Sequence, residues 1–323
     1  MDLCLPLCLN QVKIFFRFNT DNFQIYSEFD LYIAQSFQYY LGEIASDIFQ
    51  HRGSMEKQAT GVRALQIGTL KIQIHESPEA AGEAAAKATA QYLQELGERF
   101  SAGFGVIFAT GASQLHTLRA LTSTPNIPWD KITSFHMDEY EGIAPDHFAS
   151  FRHYLRQNLT QRVQIRKFYE IDGNAVDSEM ECRQYAEKLR SLDPQLCLIG
   201  IGENGHLAFN DPDVADFSDP IDMKIVELDD QCRNQQVAEG WFGSCDEVPA
   251  RALTLTIPPL FRVPKLIVSV PGPRKARIMR RTLQEPISTI CPATILRTHP
   301  DATVYLDTES AAELNDMVST NQT

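Results

Sequence analysis

Several things are scarce in this 323-residue sequence, and each scarcity excludes something. Positive charge is one: 29 Lys and Arg stand against 42 Asp and Glu, a formal net charge of −13. A phosphate backbone or an anionic membrane surface repels such a chain, so no nucleic-acid or membrane partner is expected. No apolar run reaches the roughly 18–20 residues of a membrane span. The opening MDLCLPLCLN carries Asp2 and no basic stretch, unlike a secretory signal. Cysteine is odd in number and scattered, with seven residues and no CxxC. Neither a disulfide framework nor a zinc site is expected from that pattern, and a reducing, cytoplasmic compartment is. A GxSxG elbow is missing too, which disfavours a Ser–His–Asp hydrolase.

What is present is a globular composition, 43% hydrophobic and 22% charged, at a length that suits one large α/β domain or two ordinary ones. The pattern changes near residue 54. Residues 1–54 hold eleven of the 28 Phe and Tyr, in stretches such as KIFFRF and FDLYIAQSFQYYL, without a clear strand or helix period. They read as an atypical N-terminal extension. One reading is an added helical segment at an oligomer interface; the preferred one is a stretch ahead of a true start at Met55. Residues 55–323 are regular. LKIQIH (70–75) alternates as a strand does, and Ser77-Pro78-Glu79 is a helix start with an N-cap hydroxyl, Pro at the first position and an early acid. Buried-type strands follow at 105–109, 132–136, 196–202, 253–257, 266–270 and 303–307, with helices at LHTLRALT, 181–192 and 275–283. Alternation with short links predicts a single-domain, three-layer α/β/α fold with a mostly parallel, Rossmann-like sheet.

In such a fold ligands bind beyond the carboxyl ends of the strands, and three of those ends carry unusual residues. Thr110-Gly111-Ala112-Ser113 joins a buried strand to a helix; free N–H groups, two hydroxyls and a glycine there suit a phosphate, although a plain tight turn has the same signature. His136-Met137-Asp138-Glu139-Tyr140 ends another strand. One of its acids can reach a cleft while the other faces solvent or a base; helix capping or a surface pair is the bland alternative. The third end runs Gly200-Ile201-Gly202-Glu203-Asn204-Gly205-His206 and on to Asp211. The imidazole titrates near neutrality and Asp211 can orient it, which favours general acid–base work over a structural histidine. No second His or Cys stands at metal-ligand spacing, so no metal is expected.

These segments, in this order, resemble the glucosamine-6-phosphate deaminase/isomerase family. The matching pieces are FATGAS (108–113), SFHMDEYEGI (134–143), HFASFRHYL (147–155), LIGIGENGHLAFNDP (198–212), VPARALTLTI (248–257) and GPRKA (272–276). The resemblance implies opening of an amino-sugar ring, aldose–ketose isomerisation and loss of ammonia, leaving fructose 6-phosphate, with no cofactor. It implies that Asp138 moves the proton between C2 and C1, that His206 opens the ring with Asp211 as partner, and that residues 110–113 and Lys275 hold phosphate. It covers the chain from about Met55 to its end, and it allows both monomers and hexamers, so a homo-oligomer is compatible with it. Three departures stand out. Asn204 replaces the family's usual Asp, which predicts a less stabilised imidazolium and slower ring opening. Asp211 replaces Glu. The arginine that the family places shortly before Trp241-Phe242 is missing, and Arg233 is the candidate substitute.

Two alternatives share this chemistry. A 6-phosphogluconolactonase-like hydrolase would use the same His, but needs no base at C2 and does not explain MDEY or the AFN-Asp-Pro continuation. A catalytically weak sugar-phosphate sensor draws support from Asn204, yet residues 1–54 show no helix-turn-helix pattern. Residues 213–246, rich in Asp and Gly, read as a lid over a small-molecule sugar phosphate.

Overall fold

The computed structural model describes residues 62–314, together with three short strands near the N-terminus. Those strands are β1 (Cys4–Leu9), β2 (Val12–Asn19) and β3 (Asn22–Phe23), an antiparallel set within a unit spanning Met1–Gln58. The described parts of this unit are therefore extended, where the sequence showed no period. Met55, expected as the true start, lies outside the described residues.

The second unit, Ala59–Thr323, carries the remaining elements. They are β4 (Arg63–Ile67), β5 (Leu70–His75), α1 (Pro78–Arg99), β6 (Phe104–Phe108), α2 (Leu115–Thr122), β7 (Ile132–His136), β8 (Asp138–Tyr140), α3 (Phe151–Leu155), β9 (Lys167–Phe168), α4 (Ser178–Leu192), β10 (Leu196–Ile199), β11 (Met223–Glu227), α5 (Asp230–Ala238), β12 (Arg251–Leu255), α6 (Ile257–Phe261), β13 (Leu266–Ser269), α7 (Ala276–Gln284) and β14 (Ala302–Asp307). Eight strands form one sheet in the order β4-β5-β14-β13-β10-β6-β7-β9, parallel except at the β4–β5 edge. The LTLTI strand belongs instead to a small antiparallel sheet, β11-β12-β8, which the sequence pattern did not separate from the parallel set.

The central strands are buried on both faces, and their period of two shows it. Phe104, Val106 and Phe108 of β6 and Leu196 and Leu198 of β10 pack with Ala85, Leu93 and Leu118 of α1 and α2. Ile107, Cys197 and Ile199 face the other way, toward Tyr185 and Leu189 of α4 and Met279 and Leu283 of α7. Helix α1 starts as its sequence demands, with Ser77 Oγ accepting from Ala80 N (3.2 Å) and Pro78 at the first position. Its buried stripe is mostly Ala and Gly, which lets it lie close against α2.

The strand order positions the site. From β6 the chain runs outward through β7 and β9; it then returns to β10 on the other side of β6 and proceeds outward through β13 and β14. The crevice beyond β6 and β10 is thus the switch point where ligands bind in open α/β sheets. Among the described residues, no helix is long and apolar enough to cross a membrane. The five cysteines of residues 62–314 are free thiols.

Candidate active site

Four chain segments converge on that crevice. After β6, Gly111 has φ +88° and ψ 176°, a combination essentially confined to glycine, and a single 3-10 turn (Ala112–Gln114) leads into α2. After β13 the same device recurs at Gly272 (φ +90°), followed by the turn Pro273–Lys275 and α7. Nothing lies within 4 Å of where a side chain at either glycine would begin, so both turns face open space. Each is pinned from behind: Tyr154 Oη donates to Gly111 O (2.9 Å), and Gly272 N donates to Asp307 Oδ2 (2.6 Å). Thr117 Oγ1 and Ser269 Oγ, 3.0 Å apart, tie α2 to the end of β13. Lys275 is buried, and its ammonium has no hydrogen bond or ion pair among the described residues. Burial pulls its pKa down, opposed by the charges of Glu239 and Glu203.

The loop after β10 holds the histidine. Gly202 N donates to His206 O (3.0 Å), closing the turn, and the imidazole lies directly over Gly202. A Cβ there would sit 2.2 Å from ring Nε2 and Cε1, so the ring occupies the space that glycine vacates. His206 Nδ1 and Asp211 Oδ1 are 2.8 Å apart. The same oxygen accepts from Asn204 Nδ2 (2.7 Å), which also donates to Asp229 Oδ2 (3.2 Å), while Asn204 Oδ1 accepts from His206 N (3.0 Å). These partners fix the amide's orientation, since only its nitrogen can face two carboxylates. Burial pushes the Asp211 carboxyl up, but the hydrogen bond and charge of His206, with Asn204 and Cys232, outweigh it and hold the pKa below the ordinary value.

The acid pair after β7 divides its labour. Glu139 is fully buried and accepts from Tyr140 N, Ser150 Oγ, Phe151 N and Arg152 N, so it caps α3 rather than facing solvent or a base. Asp138 is left for the cleft. Its Oδ1 is buried without a hydrogen-bond partner, and burial, followed by the charge of Glu139, raises its pKa well above the carboxylate range. His136 is structural: its Nε2 accepts from Ile171 N (2.8 Å), and burial drives its pKa down to about 3. Asp138 pairs in register with Thr254 of β12, whose hydroxyl accepts from Phe209 N (3.0 Å). One residue thereby braces both the Asp138 strand and the loop that carries His206.

Two expected residues take other duties. Arg233 Nη2 donates to the carbonyls of Cys245 (2.6 Å) and Val248 (3.4 Å), which braces the 241–248 loop. Residues 213–246, read as a lid, hold β11 and α5, and their Val226, Leu228, Cys232 and Phe242 pack in a small core with Tyr140, Phe151 and Phe209. Two residues that the sequence analysis passed over, Glu239 and Cys232, also lie here. Glu239 lies two positions before Trp241 and accepts from Trp241 Nε1 and Gln235 Nε2; with Glu203 it faces Arg274, at 3.8 and 3.3 Å. Cys232 joins His206 and Asp211, with ligand-type atoms within 4.8 Å of one another. Only the fold brings these together, because α5 is distant in sequence from the β10 loop.

Residues 76–305 match the family model described as glucosamine-6-phosphate isomerases/6-phosphogluconolactonase. A glucosamine-6-phosphate deaminase of Exiguobacterium sibiricum is 31% identical over 236 residues, 72% of this chain and 90% of that protein. Glucosamine-6-phosphate deaminase 1 of Bacillus subtilis is 32% identical over 249 residues, 75% of this chain and 99% of that protein. Among solved structures, a monomeric glucosamine-6-phosphate deaminase superimposes with a TM-score of 0.68 at 31% identity, covering 75% of this chain and 99% of the other. A 6-phosphogluconolactonase from Thermotoga maritima shares the fold at 18% identity, with a TM-score of 0.60 and coverage of 73% and 98%. With its two glycine turns, its imidazole–carboxylate pair and its buried carboxylate around one switch point, the chain belongs to the glucosamine-6-phosphate isomerase/6-phosphogluconolactonase family.

Proposed function

We propose that this chain is a glucosamine-6-phosphate deaminase. The observation that carries the reading is the pairing of two proton-handling groups across one cleft, both braced at Thr254. His206, with Nδ1 tied to Asp211, has Nε2 free to exchange a proton with the ring oxygen and open the sugar. Asp138, an unpartnered buried carboxylate, takes the proton from C2 and returns it at C1. That transfer turns the amino aldose into a ketose imine. Water then adds at C2 and ammonia leaves, so the closing step is hydrolytic. Thr110, Gly111, Ala112 and Ser113 offer backbone N–H groups and hydroxyls to the phosphate, and the buried Lys275 offers its charge. A lactonase needs no group in the place of Asp138, so that residue separates the two chemistries.

The test is ammonia release from glucosamine 6-phosphate, with 6-phosphogluconolactone hydrolysis measured beside it. Ammonia should appear with the amino sugar, and Asp138→Asn should lower kcat by about 10²–10⁴-fold, the usual contribution of a positioned base. Lactone hydrolysis that survives Asp138→Asn, with no ammonia from the amino sugar, overturns the reading.

A further inference from the structure

We propose that His206, Asp211 and Cys232 form a site for a thiophilic divalent cation such as Zn2+, and that filling it switches off the acid–base pair. The first half stands on geometry alone; the second rests on the deaminase reading. One nitrogen, one oxygen and one sulfur lie within 4.8 Å of one another, a donor set that suits zinc. Zinc bonds of about 2.0–2.3 Å place ligand atoms roughly 3.5 Å apart, so the widest pair must close by about an ångström while the His206 Nδ1–Asp211 Oδ1 pair, now 2.8 Å apart, must open.

A second observation points to a ligand. Asp211 is 1% exposed, and its Oδ2 is buried with no hydrogen-bond partner. Its other oxygen is already engaged by His206 and Asn204. The supporting groups are also in place: Asp229 accepts from Asn204 through one oxygen and from Cys232 N through the other (2.5 Å), locking the start of α5 to the Asp211 loop. The surrounding charge favours a cation. Asp211, Asp229, Asp138 and Glu239 surround the Cys232 thiol with negative charge, while burial, the larger effect, keeps the thiol protonated until a cation displaces its proton. His206 is the most exposed of the three ligands, 12% for its side chain against 1% for that of Asp211.

The exchange is balanced. The cation takes a lone pair from each ligand, the thiol gives up its proton to solvent, the proton that Nδ1 shares with Asp211 passes to Nε2, and the thiolate and carboxylate charges are neutralised. An imidazole with a nitrogen held by a cation has no basic lone pair near neutral pH, so it no longer takes up the proton that ring opening requires.

The experiment uses the full chain freed of metal with a chelator, then titrated with Co2+ while the thiolate-to-cobalt charge-transfer band is followed, and with Zn2+ while ammonia release is followed. One cation per chain is expected, with the band and the loss of activity saturating together. Cys232→Ser should abolish the band and weaken Zn2+ inhibition by about tenfold or more, measured against that variant's own metal-free turnover. Cys245→Ser, on a neighbouring and more exposed turn, should change neither. A band that survives Cys232→Ser, or disappears in Cys245→Ser, overturns the site, as does no band at saturating Co2+. Should Cys232→Ser not fold, zinc-edge X-ray absorption of the native chain decides: one sulfur ligand supports the site and none overturns it. Because the spectrum needs no substrate, the site and the deaminase reading fail separately.

Discussion

Asn204 shows how a single atom changes what a neighbouring carboxylate can do. Its nitrogen lies between Asp211 and Asp229, so the amide supplies the donor that two buried acids require. The sequence comparison suggested a weakened imidazolium at this position, because the family's carboxylate is missing. In the fold Asn204 acts on the His206 ring only through Asp211, and that acid keeps its charge. Asn204→Asp should therefore not restore a more ordinary site. It would bring three carboxylates together and leave two acceptors without a donor, destabilising the protein by about 1–3 kcal/mol. Thermal unfolding and kcat should both fall; unchanged Tm with raised kcat would contradict the argument. Gly202 makes a companion case. A methyl there needs the space that the imidazole fills, so Gly202→Ala must move the ring. A displacement near an ångström costs about a hundredfold in kcat, measurable as ammonia release at saturating substrate.

At the scale of elements, the site depends on what caps and brackets its turns. Glu139 holds the start of α3 and lies beside Asp138 in sequence, so one carboxylate serves stability and, on the deaminase reading, tunes the proposed base. A base works only when ionised, and Asp138 has its pKa raised, first by burial and then by Glu139. Activity should therefore fall as pH is lowered through that raised value, well above the ordinary carboxylate range. Glu139→Gln removes the like charge, so the acid limb of kcat/KM should move to lower pH. Its loss of buried acceptor capacity should also lower stability by about 1–3 kcal/mol. An acid limb that stays in place would show that Glu139 does not tune the base. The Gly272 turn raises a different question, because Glu239 and Glu203 offset the charges of Arg274 and Lys275. A dianionic phosphate gains from removing one of these acids. Glu239→Gln should lower KM for glucosamine 6-phosphate by roughly fivefold, the equivalent of about 1 kcal/mol for one partly buried charge. An unchanged KM would place the phosphate elsewhere.

At the scale of the whole molecule, the layered α/β order was legible because β6 and β10 are short apolar runs and the Ser77-Pro78-Glu79 start is explicit. The strand ends at 110–113, 138 and 206–211 were legible for the same reason, since glycines and polar residues there interrupt buried runs. The small antiparallel sheet was not: β8 has three residues, and LTLTI reads like any buried strand until its partners are known. Cys232 and Glu239 stayed hidden because α5 has only two buried residues, one of them Gln236, and no strong apolar stripe to announce its packing. The duty of Arg233 was also beyond reach, as backbone carbonyls leave no mark in a sequence. These same facts bear on residues 1–54. The hydrophobic clusters and site residues described above all fall between Leu65 and Leu314, and the family match spans 76–305. A chain beginning at Met55 should therefore unfold in one cooperative transition and release ammonia within about twofold of the full chain's kcat/KM, a difference too small to mark lost transition-state contacts. A loss of about tenfold or more, with folding intact by circular dichroism, would instead give the N-terminal unit a part in the reaction, because only a group acting at the site changes the barrier that much.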